Sequence, residues 1–377
     1  MHNRFGERQT LKRKLEFGVS IHMPAPRRIG KTCTIGKLAT DLRQAGWLAI
    51  EVDVQGMSTP RQFAANLCTR IEEQTATITR IKAHLMQRLN NLLGGGWGDK
   101  PLDALGRVNP IEFAEILIAS LNESDKNTVI IVDEISYFVL ALAESDAKEA
   151  HAFVYQLRAL QLRYRNVRWL ITGSIGLDTI ARRYDLQGAF ADFETIFLLP
   201  FTREEARSYL RDPAIQHPLN HPFQATDADL DAMFTDLGWL APHYLKLVAN
   251  EVRPSVPGDG EVWYATKSDF DAAFEQLLQP NRQPEFAVWR EHVRKNLPAV
   301  DRAVASHLLG FLSRQPLGEV EDTLLAHTAQ AEPSVTKRQM RDVLSMLIND
   351  GLLLKSDGRF RFRSGLVRRY WQEYEVE

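Results

Sequence analysis

Five short apolar, β-branched runs, separated by stretches of helical spacing, constrain the first 200 residues more than any other feature. They are FGVSIHM (17–23), WLAIEVDV (47–54), TVIIVDE (128–134), VRWLITGS (167–174) and ETIFLLP (194–200). Near-continuous apolar runs of this length suit strands buried on both faces. Strands alternating with helices build a parallel α/β sheet. A five-stranded parallel core is therefore expected over residues 1–200. The gap from 55 to 127 carries two helical patterns and the break LGGGWGDKPLD (93–103). It reads as an insertion at about 57–127, a mobile flap or partner surface, because loops this long usually have a role.

After Pro200 the β-rich runs stop. TREEARSYLRD, TDADLDAMFTDLG, LAPHYLKLVANEV and KSDFDAAFEQLLQP have helical spacing and polar starts, predicting a helical domain over 201–298. RPSVPGDGE (253–261) interrupts it. From 299 to 377 the order is three helical patterns and then LLLKSDGRFRFRS, two short strands around a D-G turn. That order predicts a winged helix-turn-helix.

The chain has 44% hydrophobic and 25% charged residues and a formal net charge of -2. This excludes a disordered chain and a generally basic nucleic-acid coat, leaving room for a local basic patch. Two cysteines, Cys33 and Cys68, exclude a disulfide framework and a four-thiolate zinc site. No signal-peptide run and no apolar stretch of about 18 residues is present, so a soluble cytoplasmic protein is expected, with no membrane partner.

Chemistry concentrates in APRRIGKTC, residues 25–33, between the first run and the helical TCTIGKLATDLRQ. A loop opening a helix presents backbone N–H groups and the positive end of the helix dipole, which bind phosphate. Gly30 allows close backbone approach, Lys31 reaches the β and γ phosphates, and Thr32 offers a hydroxyl to magnesium. The pattern G-x-x-x-x-G-K-S/T asks for glycine where Ala25 stands, a cost of about 1–2 kcal/mol only if that residue needs positive φ. Residues Ala25, Pro26, Arg27, Arg28, Ile29, Gly30, Lys31, Thr32 and Cys33 are the candidate cradle.

The run TVIIVDE ends in two acids. Asp133 is expected to hold magnesium with Thr32. Glu134 is expected on the opposite strand face, polarising the attacking water as general base. Ser174, ending the next run, is a candidate to hold that water or a γ-phosphate oxygen. With Lys31 and Glu134 it completes the catalytic set. His217 and His221, in HPLNHP, supply too few ligands for a metal site.

These pieces, in this order, resemble the AAA+/STAND branch of P-loop ATPases, specifically archaeal-type and origin-recognition-like ATPases. The resemblance rests on APRRIGKT, the opening FGERQTLKRKL, IVDEIS, ITGSIGL, GWLAP and the closing FRFRSGLVRRYWQEY, and it spans nearly the whole chain. It implies a P-loop NTPase core of the ASCE/AAA+ type, a helical lid closing on adenine with Pro242 at its G-x-P-like turn, and a C-terminal winged helix. ATP/ADP and Mg2+ are the implied cofactors. Ala25 departs from the usual glycine, GER replaces GRE at Arg8, and only Arg182 and Arg183 stand near the place of a trans-acting arginine.

Between 355 and 369 the chain carries Lys355, Arg359, Arg361, Arg363, Arg368 and Arg369 against Asp357 alone. If TKRQMRDVLSMLINDG is a recognition helix, Arg338 and Arg341 join Arg359, Arg361 and Arg363 as candidate DNA contacts. Two readings follow. One is an ATP-hydrolysing switch, possible as a homo-oligomer, whose winged helix contacts DNA or a partner protein. The other is a nucleotide-gated scaffold with little turnover, presenting the insertion and winged helix to an effector protein. Bacterial relatives of this branch occur in mobile-element and anti-phage (antiviral) defence modules.

Overall fold

The computed structural model describes residues 4–75, 79–94, 98, 100–174, 176–258 and 262–374. The chain divides into two compact units. One holds Arg4–Ala25 and Thr32–Leu198; the other holds Pro26–Lys31 together with the residues from Leu199 onward.

The first unit is built on a parallel sheet of β1 (Ile21–Pro24), β2 (Leu48–Asp53), β3 (Thr128–Asp133), β4 (Val167–Gly173) and β5 (Glu194–Thr195), in the order β2-β3-β4-β1-β5. All five expected strands form. The first five residues of β3 and all but one of β4 are buried, so an unbroken apolar run is what a two-sided environment selects. The expected fifth strand is the exception in length. Only its first two residues are assigned to the sheet, and Phe197 and Leu199 are 63% and 64% exposed.

Among the described residues the insertion holds four helices rather than the expected two: Pro60–Thr75, Thr79–Leu93, Pro101–Ala104 and Pro110–Asn122. The Asn109 side chain caps the last by accepting from the Ile111 N–H at 2.9 Å, one step ahead of Pro110. Phe63, on the first of them, forms an aromatic cluster with Phe138 and Phe153 at centroid separations of 5.3–5.8 Å. Each ring is almost wholly buried. Burial at about 25 cal/mol per Å² makes such a cluster a core contribution. Gly95–Trp97 and Asp99, within the glycine-rich break, lie outside the described residues.

In the second unit the four helical patterns appear as Arg203–Arg211, Asp227–Leu237, Pro242–Glu251 and Lys267–Leu277. Thr202 and Thr266 open the first and last of these with capping boxes to Glu205 and Asp269. The β-structure does not stop at Pro200, however. β6 (Val256–Pro257) pairs antiparallel with β7 (Trp263–Tyr264) around the Pro/Gly stretch. Farther on, helix Arg302–Ser313 is followed by β8 (Glu319–Val320), helices Glu321–Ala331 and Lys337–Asp350, then β9 (Leu353–Ser356) and β10 (Arg359–Phe362). β8, which the sequence did not suggest, completes a sheet in the order β8-β10-β9. Asp357 and Gly358, both at positive φ, make the turn between β9 and β10.

Candidate functional site

β1 and β3 are parallel and separated only by β4, so their C-terminal ends lie along one sheet edge, the usual place for ligands in α/β sheets. The Ala25 N–H donates to the Gly173 carbonyl at 3.1 Å, continuing β1's pairing one residue beyond the strand. Ala25 is 1% exposed and is not among the positive-φ residues. The missing glycine therefore costs nothing here. Left-handed backbone falls instead on Arg28 (φ 68) and Gly30 (φ 94). Turns that alternate into this region gather successive N–H groups into an anion-binding concavity. Ala25→Gly should leave nucleotide affinity unchanged and lower stability by about 0.5–1 kcal/mol through added chain entropy. Calorimetry and denaturant unfolding measure the two effects separately.

The loop runs into helix Lys31–Gln44, whose 14 residues are ample to carry a dipole. Lys31 is 7% exposed and Ile29 is fully buried, whereas Thr32 and Cys33 are exposed at the helix start. Cys68 is the contrasting thiol, buried and pushed up to about 12 by desolvation with Glu72 nearby. Within the unit that holds Pro26–Lys31, a Cβ on Gly30 would stand 4.0 Å from Pro242 Cγ. One on Gly351 would stand 2.8 Å from Pro26 Cβ. Arg27 Nε lies 4.0 Å from the buried Asp350 carboxylate. Burial and the neighbouring Arg28 charge lower His243 to about 4. Pro242 is thus placed against the loop, at the first turn of its helix.

The acid pair is arranged differently from a simple alternation of faces. Asp133 is the last strand residue, and its Oδ1 accepts from the Thr172 hydroxyl and, at 3.0 Å, from the Glu134 N–H. Glu134 leaves the extended backbone altogether, at φ 61, as the residue before helix Ile135–Ser145. Its Oε2 accepts from both the Ser174 N–H and the Ser174 hydroxyl, each at 3.0 Å. Ser174 is 1% exposed, and its hydroxyl hydrogen bonds to Glu134 rather than facing open solvent. Gly173, between the two donors, admits the Ser136 hydroxyl, which would stand 2.2 Å from any Cβ placed there. Thr172 was not among the residues expected from sequence; the signal was the parallel register, which sets it beside Asp133, one step past Val132 and Ile171.

Can these residues hold magnesium? The donors are hard oxygens, from the exposed Thr32 and the half-buried Asp133. Among the described residues no group of three or more His, Cys, Asp or Glu could hold a metal by itself. The set fits a cation ligated mainly by phosphate and water, which is how magnesium is usually carried.

The basic C-terminal residues do not form one surface. Arg359 and Arg361 are exposed on β10 while Phe360 and Phe362 are buried between them. Arg363 lies past the strand and breaks the row. Its guanidinium donates to the Ile348 and Leu353 carbonyls at 3.2–3.3 Å and sits 5.4 Å from the Trp239 ring centre, with burial lowering its basicity. Arg341 donates to Glu321 at 2.7 Å and Arg359 to the Gly318 carbonyl at 3.1 Å, while Arg338 is exposed. Elsewhere, Arg8 is ion-paired with Asp41, and Arg182 is exposed at the end of helix Leu177–Arg183. No helix among the described residues is long and apolar enough to cross a membrane.

No family model and no curated protein matches the sequence. Among solved structures, the Walker-type ATPase PABY2304 of Pyrococcus abyssi superposes with a TM-score of 0.64 at 13% identity, covering 98% of this chain and 95% of that one. The ADP form of the Aeropyrum pernix ORC2 protein gives a TM-score of 0.47 at 14% identity over 100% and 96% of the two chains. The Aeropyrum pernix ORC1 protein in complex with DNA gives 0.41 at 13% identity over 99% and 93%. With its β2-β3-β4-β1-β5 sheet, its loop between β1 and a helix, and a likeness running nearly the full length of that structure, the chain has the α/β fold of the P-loop NTPases.

Proposed function

We propose that the protein binds ATP and hydrolyses it with magnesium. The observation that carries this reading is the acid pair at the tip of β3, one strand away from the β1 tip that leads into the loop. Backbone N–H groups of residues 27–31 and the Lys31 ammonium hold the β and γ phosphates, with Arg27 and Arg28 on the same loop and Pro242 on the adenine side. Thr32 and Asp133 hold magnesium, which, when bound, offsets charge on the phosphate oxygens. Glu134 accepts a proton from water as the water oxygen attacks the γ-phosphorus. The bond to the bridging oxygen breaks, and ADP and inorganic phosphate leave. Release of phosphate from ATP by the wild-type chain, dependent on magnesium, tests the reading; no release above background overturns it.

The C-terminal helices, with β8, β9 and β10, are read as a winged helix and residues 201–298 as the lid. For the partner of this region, internal engagement of Arg341, Arg359 and Arg363 favours an effector protein over DNA. Homo-oligomer formation belongs to the same switch reading. A salt titration of duplex DNA binding, with and without ATP, separates the partners. If DNA is bound through β10, replacing Arg359 and Arg361 by alanine flattens the salt slope by about 1.8, at roughly 0.9 per phosphate contact. Arg363→Ala leaves the slope alone and lowers stability. A wild-type slope near zero assigns the region to protein docking.

A further inference from the structure

At the edge of the sheet where the parallel strands begin, opposite the edge that carries the loop and the acid pair, one guanidinium has no partner. Arg168 is the second residue of β4. Its Nε and Nη1 are closed off from solvent and make no hydrogen bond. Its Cζ stands 5.7 Å from the centre of the Trp47 ring, which is itself 8% exposed. Burial lowers its basicity, and no carboxylate among the described residues acts against that. Arg363 is lowered by burial too, yet it donates to two backbone carbonyls. Buried polar groups are satisfied as a rule, and an exception calls for an explanation, an absent ion among them. An uncompensated buried charge is costly.

Nη2 is the nitrogen left open. It lies beside Gly18, an exposed residue at φ 84, where a Cβ would stand 3.9 Å from it. Phe17, next in the chain and at the end of helix Phe5–Glu16, is 79% exposed. The Thr128 N–H donates to the Asn166 carbonyl at 3.2 Å and the Leu48 N–H to the Asn127 carbonyl at 2.9 Å. These bonds tie the strand starts together, so the exposed Lys126 and Arg165 belong to the same edge. We infer that this edge docks an acidic segment of a partner protein, with a carboxylate on Arg168 and a neighbouring apolar side chain on Phe17. Arginine and aromatic side chains are the usual anchors of protein interfaces. A carboxylate at Nη2 compensates a charge whose burial has already been met in folding, so association adds little desolvation on this side. Phe17 favours a protein over a phosphate backbone, which offers no apolar group to cover it. The inference stands apart from ATP hydrolysis and from the C-terminal region.

Fluorescence anisotropy with labelled poly(Glu,Tyr), a copolymer carrying both carboxylates and rings, tests this. The full chain is used with Lys31→Ala as background, so that the phosphate loop does not contribute, and poly-glutamate and duplex DNA are the comparison probes. The copolymer is expected to bind more tightly than poly-glutamate. Arg168→Met should weaken its binding about 30-fold, the scale of an interface hot spot. Arg168→Lys should recover only part of the loss, because an ammonium lacks the flat fork that lies against Trp47. Phe17→Ser should remove the preference for the copolymer over poly-glutamate. Urea unfolding checks each variant, and Arg168→Met is expected to unfold at no lower urea concentration than its parent, since it removes an uncompensated charge. Unchanged affinity for the copolymer in Arg168→Met overturns the inference. So does a marked loss of stability in that variant, which makes the guanidinium a packing element. Tighter binding of duplex DNA, lost in Arg168→Met, overturns it in favour of nucleic acid.

Discussion

Replacing Lys31 by alanine is expected to weaken ATP binding by about 30- to several thousand-fold, enough to abolish it at ordinary concentrations. Lys31 is 7% exposed at the first position of its helix, so little of the residue faces water. A charge in such a place adds to phosphate affinity with little further desolvation on binding. Truncating one partner of a buried, hydrogen-bonded charge pair costs about 2–5 kcal/mol, which converts to that fold-change. Binding of ADP should suffer as well, because the β phosphate shares the same ammonium. Calorimetry with both nucleotides measures this, and circular dichroism checks that the fold is kept. Wild-type affinity in Lys31→Ala would remove the loop from the nucleotide assignment.

Glu134→Gln is expected to bind ATP normally and hydrolyse it at least ~100-fold more slowly, the usual scale of a general-base contribution. The isosteric amide suits this test because of how Glu134 is held. Both donors, the Ser174 N–H and hydroxyl, converge on one oxygen. A glutamine carbonyl can take that oxygen's place and accept from both, so the side chain stays where it was and only proton acceptance is lost. KM for ATP should therefore change little. Phosphate release under single-turnover conditions isolates the chemical step from product release. A wild-type rate in this variant would transfer the base to another group.

The sheet was legible in the sequence because its strands are buried on both faces, which forces uninterrupted apolar runs. ETIFLLP has the same composition, yet its pairing ends early: Glu194 and Ile196 donate to the Ser20 and His22 carbonyls at 2.9 Å, and the chain then leaves β1, which runs on to Pro24, and turns Phe197 and Leu199 outward. Composition cannot register where a strand leaves its neighbour. The insertion misled for the opposite reason. PIEFAEILIASLN is apolar almost all round, and a helix without a polar face looks like neither a loop nor an amphipathic surface helix until its neighbours are known. The loop, the acid pair and Ser174 were legible as residue types in order. The aim of Glu134 was not, because face alternation holds only while the backbone stays extended, and it does not past Asp133. Arg363 illustrates the same limit: three arginines spaced by two look equivalent, but β10 ends at Phe362 and the third is drawn to carbonyls at 3.2–3.3 Å.

The contrast between the two thiols gives the protein a native reporter. Cys33 is exposed, one residue past Thr32, while Cys68 is buried and its thiol pushed up to about 12. Alkylation at neutral pH should thus mark a single position, with no engineered cysteine and no background to subtract. If ATP binds as proposed, a nucleotide seated on the loop stands between Cys33 and the reagent. The time course of one mass increment then follows occupancy directly, even in a variant that has lost all turnover.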